Sequence, residues 1–161
     1  MARYQMKQKW LSFGDDYVVK DAAGNEIFYI DGKVFTLRTT LLVQDMGGRE
    51  LATIQKKILS WGPTYEIYRG GALAAVVKKS LFTFFRCEFT VDVPGPDDLV
   101  ADGSFSDYEY VFRRARGPVA SVSKRFFSWT DSYGIDIDDR EDPVLIIASA
   151  VVIDQCCHEE K

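Results

Sequence analysis

The sequence is poor in the residues that most often carry chemistry. Its one histidine, His158, stands near the chain end, and a lone imidazole with no placed partner is rarely a general base. Three cysteines, Cys87, Cys156 and Cys157, are odd in number, and two of them are adjacent. Neighbouring cysteines bridge each other only with strain and no zinc spacing is present, so a disulfide framework and a zinc site are excluded and a reducing cytoplasm is the simplest compartment. Five prolines in 161 residues leave no long linker, and Val93 to Asp98 reads as a loop rather than a domain boundary. One domain spanning residues 1–161 is expected. No nucleophile elbow, phosphate loop or dinucleotide fingerprint occurs, so an enzyme is the least expected class and no cofactor is implied. Met1 to Leu11 lacks the apolar stretch a signal peptide needs. The most apolar run, VLIIASAVVI from Val144 to Ile153, is ten residues long, against the roughly 20 a membrane-spanning helix requires.

What is present is apolar and alternating. The chain is 47% hydrophobic and 14% aromatic, enough for a packed core. Its net charge of −4 gives no global field that would gather nucleic acid. Period-two patterns recur at Tyr4 to Trp10, Asp15 to Val19, Glu26 to Ile30 and Lys33 to Leu42, rich in the β-branched and aromatic residues that strands prefer. Asp31-Gly32 reads as a hairpin dipeptide, since both residues accept positive φ. Strands of this length and spacing indicate a barrel or a sandwich.

A repeat runs through the pattern. Leu51-Ala52-Thr53-Ile54-Gln55-Lys56-Lys57 aligns with Leu73-Ala74-Ala75-Val76-Val77-Lys78-Lys79 and with Val119-Ala120-Ser121-Val122-Ser123-Lys124-Arg125, and Ile27 to Ile30 followed by Lys33 is a fainter copy. Each unit reads as a strand with one buried face, a basic pair at its end and a returning strand, which makes a meander of hairpins. The terminal apolar run is either a helix or a buried strand. Its valines and isoleucines favour a strand. Asp142-Pro143 is a good helix start, because Asp caps a free N–H and Pro at the first position gives up nothing. A helix from Pro143 to Cys157 would be apolar all round and so enclosed by protein.

The order of these features resembles a family. Asp131-Ser132-Tyr133-Gly134-Ile135, an acidic loop and Val144 to Asp154 look like the ending of LURP-one-related proteins, and the Lys-Lys hairpins are similar to that family's body. The chain is therefore identified as a member of the tubby C-terminal-like superfamily, close to the LURP-one-related branch and related to the phospholipid scramblases. The resemblance implies a mainly β fold, a closed antiparallel barrel of about 12 strands around a hydrophobic C-terminal helix. It also implies an anionic lipid head group, phosphoinositide-like, as the ligand of a basic surface, with peripheral membrane contact in the cytoplasm.

Two groups of residues are site candidates. Lys56, Lys57, Lys78, Lys79, Lys124 and Arg125, with Arg113 and Arg114 nearby in sequence, would form a basic barrel rim able to hold phosphate. Adjacent strand residues point to opposite faces, so one of each pair serves a given surface, and charges at strand ends also guard against aggregation. The aromatics Trp61, Phe82, Phe84, Phe85, Phe126, Phe127 and Trp129 beside these pairs suit a barrel core better than base stacking. The second group is Asp131, Asp136, Asp138 and Asp139, clustered carboxylates of the kind calcium requires. Asp131 falls on the first acidic residue of the calcium segment that the scramblase resemblance implies. Read as an EF-hand from Asp136, the loop has Glu141 where Gly is needed, and acids before a helix also suit its dipole. The two functions weighed are an anionic-lipid binding module and a scaffold for protein partners.

Overall fold

The structure is a computed structural model and describes residues 1–9, 16–33, 39–58, 62–83, 86–95, 97–125 and 132–159. Twelve strands form one closed barrel. They are β1 (Ala2–Lys9), β2 (Asp16–Lys20), β3 (Glu26–Lys33), β4 (Thr40–Asp45), β5 (Glu50–Lys56), β6 (Thr64–Arg69), β7 (Ala72–Thr83), β8 (Arg86–Asp92), β9 (Leu99–Ser104), β10 (Glu109–Arg114), β11 (Gly117–Ser123) and β12 (Ser132–Ile137). Each pairs antiparallel with its sequence neighbour, and β1 pairs with β12, Ala2 opposite Ile137 and Lys7 opposite Ser132, to close the ring. Closure removes the open edges that a meander would otherwise expose.

Alternation decides which side chains enter. Met6, Tyr17, Val43, Ile54, Ile67, Val77, Val91, Phe112 and Ile135 are fully buried, while outward neighbours such as Gln44, Thr53, Glu66, Ser121 and Asp136 stay in contact with solvent. Apolar inside and polar outside is the reverse of a membrane barrel.

Helix α1 (Pro143–Asp154) threads the barrel and continues as a π-helical turn, Gln155–Glu159. The Asp-Pro signal works as expected: the Asp142 carboxylate accepts from the Val144 N–H at 3.1 Å, and Pro143 opens the first turn. Nearly every residue of α1 is buried. The helix packs closest against β5, β6, β7 and β12. Inward alanines at 52, 75, 101 and 120 and the helix's own Ala148-Ser149-Ala150 leave room for its backbone. The Ser149 hydroxyl donates to the Leu145 carbonyl at 2.8 Å, so the one polar side chain in mid-helix is satisfied. Burying the six side chains of Val144, Ile146, Ile147, Val151, Val152 and Ile153, each contributing roughly 1.5–3 kcal/mol, explains why so β-branched a run stays helical here. The core selects the helix, not the intrinsic propensity. No helix among the described residues is long and apolar enough to cross a membrane.

Three expectations change. Asp31-Gly32 does not turn: β3 runs through it, with Asp31 opposite Leu42 and Gly32 opposite Leu41. The Gly32 N–H donates to the Asp16 carboxylate at 2.9 Å, a partner that keeps it in the strand. Lys78-Lys79 does not end its strand either, because β7 continues to Thr83. The third change is one of register. Val43 pairs with Ala52 and Gln44 with Glu50, leaving Leu51 as a bulge; Ile67 pairs with Ala75 and Tyr68 with Leu73, leaving Ala74. Val119 and Ile27 are skipped in the same way. The repeat is anchored on these bulges, so Leu51 corresponds to Ala74, not to Leu73. A bulge inserts one unpaired residue and moves every later side chain to the other face.

Candidate functional site: the lysine end of the barrel

Register determines which basic residues point where. With Ala52 and Ile54 buried, Lys56 takes the inward direction and the exposed Lys57 the outward one; with Ala75 and Val77 buried, Lys79 turns inward and Lys78 outward. On β11, Ala120 and Val122 are buried, which directs Lys124 inward and Arg125 outward. Lys56, Lys79 and Lys124 thus occupy one position, five residues past the bulge, at the same end of the barrel. Strands β1, β3 and β5 also finish there, on Lys9, Lys33 and Lys56.

The three inward lysines do not form one patch. β5 and β11 lie six places apart in the ring of twelve, so Lys56 and Lys124 face each other across the mouth. Lys79 is two strands from Lys56, about 10 Å between strand axes. Two aromatic rings support the lysines: Lys56 Nζ lies 5.9 Å from the Tyr65 ring centroid, and Lys124 Nζ lies 4.7 Å from that of Tyr108. Among the described residues no carboxylate reaches Lys57, Lys78, Lys79, Lys124 or Arg125 within ion-pair distance.

Below this mouth ends α1. Asp154, fully enclosed, accepts from the Tyr17 hydroxyl at 2.6 Å and from the Tyr108 hydroxyl at 2.9 Å. Gln155 Nε2 donates to the Tyr17 oxygen at 3.2 Å. Tyr133 stacks on Tyr108 with ring centroids 4.9 Å apart. Burial, and then the Asp154 charge, push the Tyr133 and Tyr110 hydroxyls well above the usual tyrosine range. This cluster was not recognised in the sequence. Its signal was Asp154 itself: an acid closing an apolar helix sits against the negative end of the helix dipole and needs donors.

The opposite end is organised differently. Arg113 and Arg114, the last residues of β10, stand there and not among the lysines. Arg114 forks onto Glu141, with contacts of 2.9 to 3.1 Å; Arg116 adds one of 2.7 Å, and the Glu141 side chain is only 5% exposed. Arg69 pairs with Asp142, and Arg113 meets Asp102 at 3.4 Å.

The acidic candidates fall into this network. Asp136 takes a two-pronged contact from Arg3 at 2.7 and 3.0 Å, Asp138 pairs with Arg140 at 2.9 Å, and Asp139 meets the N-terminal amine at 3.0 Å. The Arg140 side chain, then its backbone N–H, hold the Asp138 carboxyl well below the usual carboxylate range. Asp131 lies outside the described residues, and its neighbour Ser132 opens β12 at the lysine end, a full strand from Asp138. Among the described residues no three His, Cys, Asp or Glu side chains are grouped closely enough to hold a metal ion. The aromatics Trp61, Phe84, Phe85, Phe126, Phe127 and Trp129 also lie outside the described residues, as does the Phe82 side chain.

The sequence profile of the LURP-one-related family matches residues 2–154, all twelve strands and the helix. The chain is a LURP-one-related protein. It is 32% identical over 156 residues to YxjI of Bacillus subtilis (strain 168), an uncharacterized protein, and the match covers 97% of this chain and 94% of that one. The fold is shared with a protein of Arabidopsis thaliana solved by X-ray crystallography: the TM-score is 0.66 at 18% identity, covering 94% of this chain and 88% of the plant protein. The LURP-one-related barrel with its threaded helix therefore matches the architecture that the resemblance implied.

Proposed function

We propose that this LURP-one-related barrel is a non-catalytic binding module that rests peripherally on anionic lipid head groups through its lysine end. One observation carries the reading. Arginines at one end are matched with carboxylates, whereas at the other end no carboxylate lies within ion-pair distance of the Lys57, Lys78, Lys79, Lys124 or Arg125 side chains among the described residues. Charges left unpaired around one end, in a chain whose net charge is negative, give that end a local positive field able to attract an anionic surface.

The surroundings favour a bilayer over a free phosphate. Ile58, next to Lys57, is 65% exposed. An exposed apolar side chain beside basic ones suits the head-group layer.

The test is co-sedimentation with phosphatidylcholine vesicles, with and without phosphatidylglycerol. Each lysine near an anionic surface contributes about 1 kcal/mol, so replacing Lys56, Lys79 and Lys124 together by Glu is expected to weaken binding at least about 100-fold. The melting temperature should fall by only a few degrees, since Lys56 and Lys124 each give up one ring contact, with Tyr65 and Tyr108, of about 0.5–1 kcal/mol. Free glycerol phosphate as competitor separates a soluble anion from a membrane surface. A wild-type protein that ignores anionic vesicles, or a triple variant that binds them equally well, overturns the reading.

A further inference from the structure

Tyr108 is the only residue other than glycine with a positive φ among the described residues, at +56°. A tyrosine in this left-handed conformation is strained, and the strain persists only where surrounding contacts hold it. Among the contacts that do so are three of its side chain: its hydroxyl donates to Asp154 at 2.9 Å, its ring packs on Tyr133 at 4.9 Å, and Lys124 Nζ lies 4.7 Å above the ring. The third is contributed by a residue of the basic mouth. Any anion that draws Lys124 outward removes it.

A second state is built into the same cluster. The Tyr133 hydroxyl is buried and has no hydrogen-bond partner among the described residues. Its ring lies 4.9 Å from that of Tyr108, whose hydroxyl donates to Asp154, and burial, then the Asp154 charge, push its hydroxyl well above the usual range. An unsatisfied buried donor is costly, and a carboxylate within reach would relieve that cost. When Tyr108 leaves, Tyr133 can replace it as donor to Asp154. The element they hold is the junction at which α1 widens into the π-helical turn Gln155–Glu159, the kind of local irregularity that marks mobile or functional points in helices.

We propose that Tyr108 is a latch with two positions, linking the basic mouth to the end of the buried helix. With Lys124 on its ring, Tyr108 clamps Asp154. With Lys124 engaged by an anionic head group, Tyr108 relaxes to negative φ, Tyr133 takes over Asp154, and the segment 154–157 loosens. The inference rests on the lysine end being the anion-binding surface, and the energy difference comes from Lys124, which binds the ligand in only one of the two positions.

Amide hydrogen exchange tests this on the full chain, with phosphatidylcholine vesicles lacking or containing phosphatidylglycerol. Anionic vesicles should quicken exchange at 105–109 and 154–157 by about tenfold, because the hydrogen bond that ties the Tyr108 turn to the helix end is released, and leave 143–147 unchanged. Tyr108→Phe should exchange faster at 154–157 without any vesicle and gain nothing further from anionic ones. Tyr133→Phe should match the wild type without vesicles and show a smaller response to them, because the second state has lost its donor. Sedimentation with anionic vesicles but unchanged exchange overturns the latch and leaves the binding surface standing. Failure to sediment removes both. A Tyr108→Phe variant that exchanges like the wild type in the absence of vesicles also overturns the latch.

Discussion

The two ends of this barrel both carry charge among the described residues and use it in opposite ways. At one end, Arg69, Arg114, Arg116 and Arg140 grip Asp142, Glu141 and Asp138 in the loop that leads into α1. At the other, lysines crown strands with no carboxylate set against Lys57, Lys78, Lys79 or Lys124 among the described residues. The chemistry of the two cations explains the division. Guanidinium forks pre-organise onto carboxylates and tolerate burial, while an ammonium is a hydrated point charge on a flexible stem. The arginine end therefore acts as a structural fastening, and the lysine end is the surface proposed to take an anion. The helix reinforces the contrast, since acids suit its N-terminal end and cations its C-terminal end. Asp154 breaks that rule, and this is why tyrosine donors gather around it.

The contrast can be broken most forcefully at the fastening. Glu141→Ala leaves Arg114, only 15% exposed, without its two-pronged partner and with only the longer 3.9 Å carboxylate contact to Asp97. Breaking such a pair costs about 3–5 kcal/mol, which should lower the melting temperature by roughly 10 °C while anionic-vesicle binding of the folded protein is retained. A loss below about 1 kcal/mol in urea titration would mean the fastening is dispensable.

The lysine end has a rigid point of its own. At Gly103, φ is +137° and an added Cβ would lie 2.6 Å from the Glu109 carbonyl oxygen and 2.7 Å from Tyr110 Cα. Gly103→Ala is expected to cost roughly 2–3 kcal/mol, read from the urea midpoint, by forcing β9 away from β10. An unchanged midpoint would show that this part of the mouth yields easily.

The smallest effects sharpen the comparison through pH. The Asp138 carboxyl is held low by Arg140, so the folded chain binds its proton less tightly than the unfolded chain. The stability it contributes is complete above about pH 4 and declines as pH falls below that. Tyr29, on the outer wall toward the lysine end, donates to Asp16 at 2.6 Å, and that bond, followed by burial, pushes its hydroxyl up to about 12. Its contribution is complete below about pH 10, the unfolded value, and is lost as pH rises through about 12. Asp138→Asn should therefore flatten only the acid limb of a stability–pH curve, and Tyr29→Phe only the alkaline limb. If each variant flattened both limbs, the two ends would not titrate separately.

Strand existence was legible because burial on one face imposes a period of two, and the Asp142-Pro143 start was legible because capping is local. The Asp31-Gly32 turn was misread because the contact that keeps it extended comes from Asp16, in another strand. The repeat was visible, but its second copy was set one residue out, because a bulge is defined only by the partner strand it fails to match. That single residue decides whether Lys78 or Lys79 faces the mouth. Arg113 and Arg114 seemed close to the basic pairs in sequence, yet an antiparallel meander sends consecutive strand ends to opposite poles.

By itself, then, the sequence determined the mainly β character, the helix signal before an enclosed apolar run, the family and the residue types available for binding. Each of these follows from periodicity, from neighbours a few positions apart or from resemblance. Tertiary structure alone decided the closure of β1 on β12, the pole to which each charge was sent, the pairing of arginines with carboxylates and the gathering of Tyr17, Tyr108 and Tyr133 around Asp154. Most of these depend on contacts between different elements, from Arg116 with Glu141, 25 positions apart, to Tyr17 with Asp154, 137 apart, and no local pattern specifies which distant strand will supply the partner.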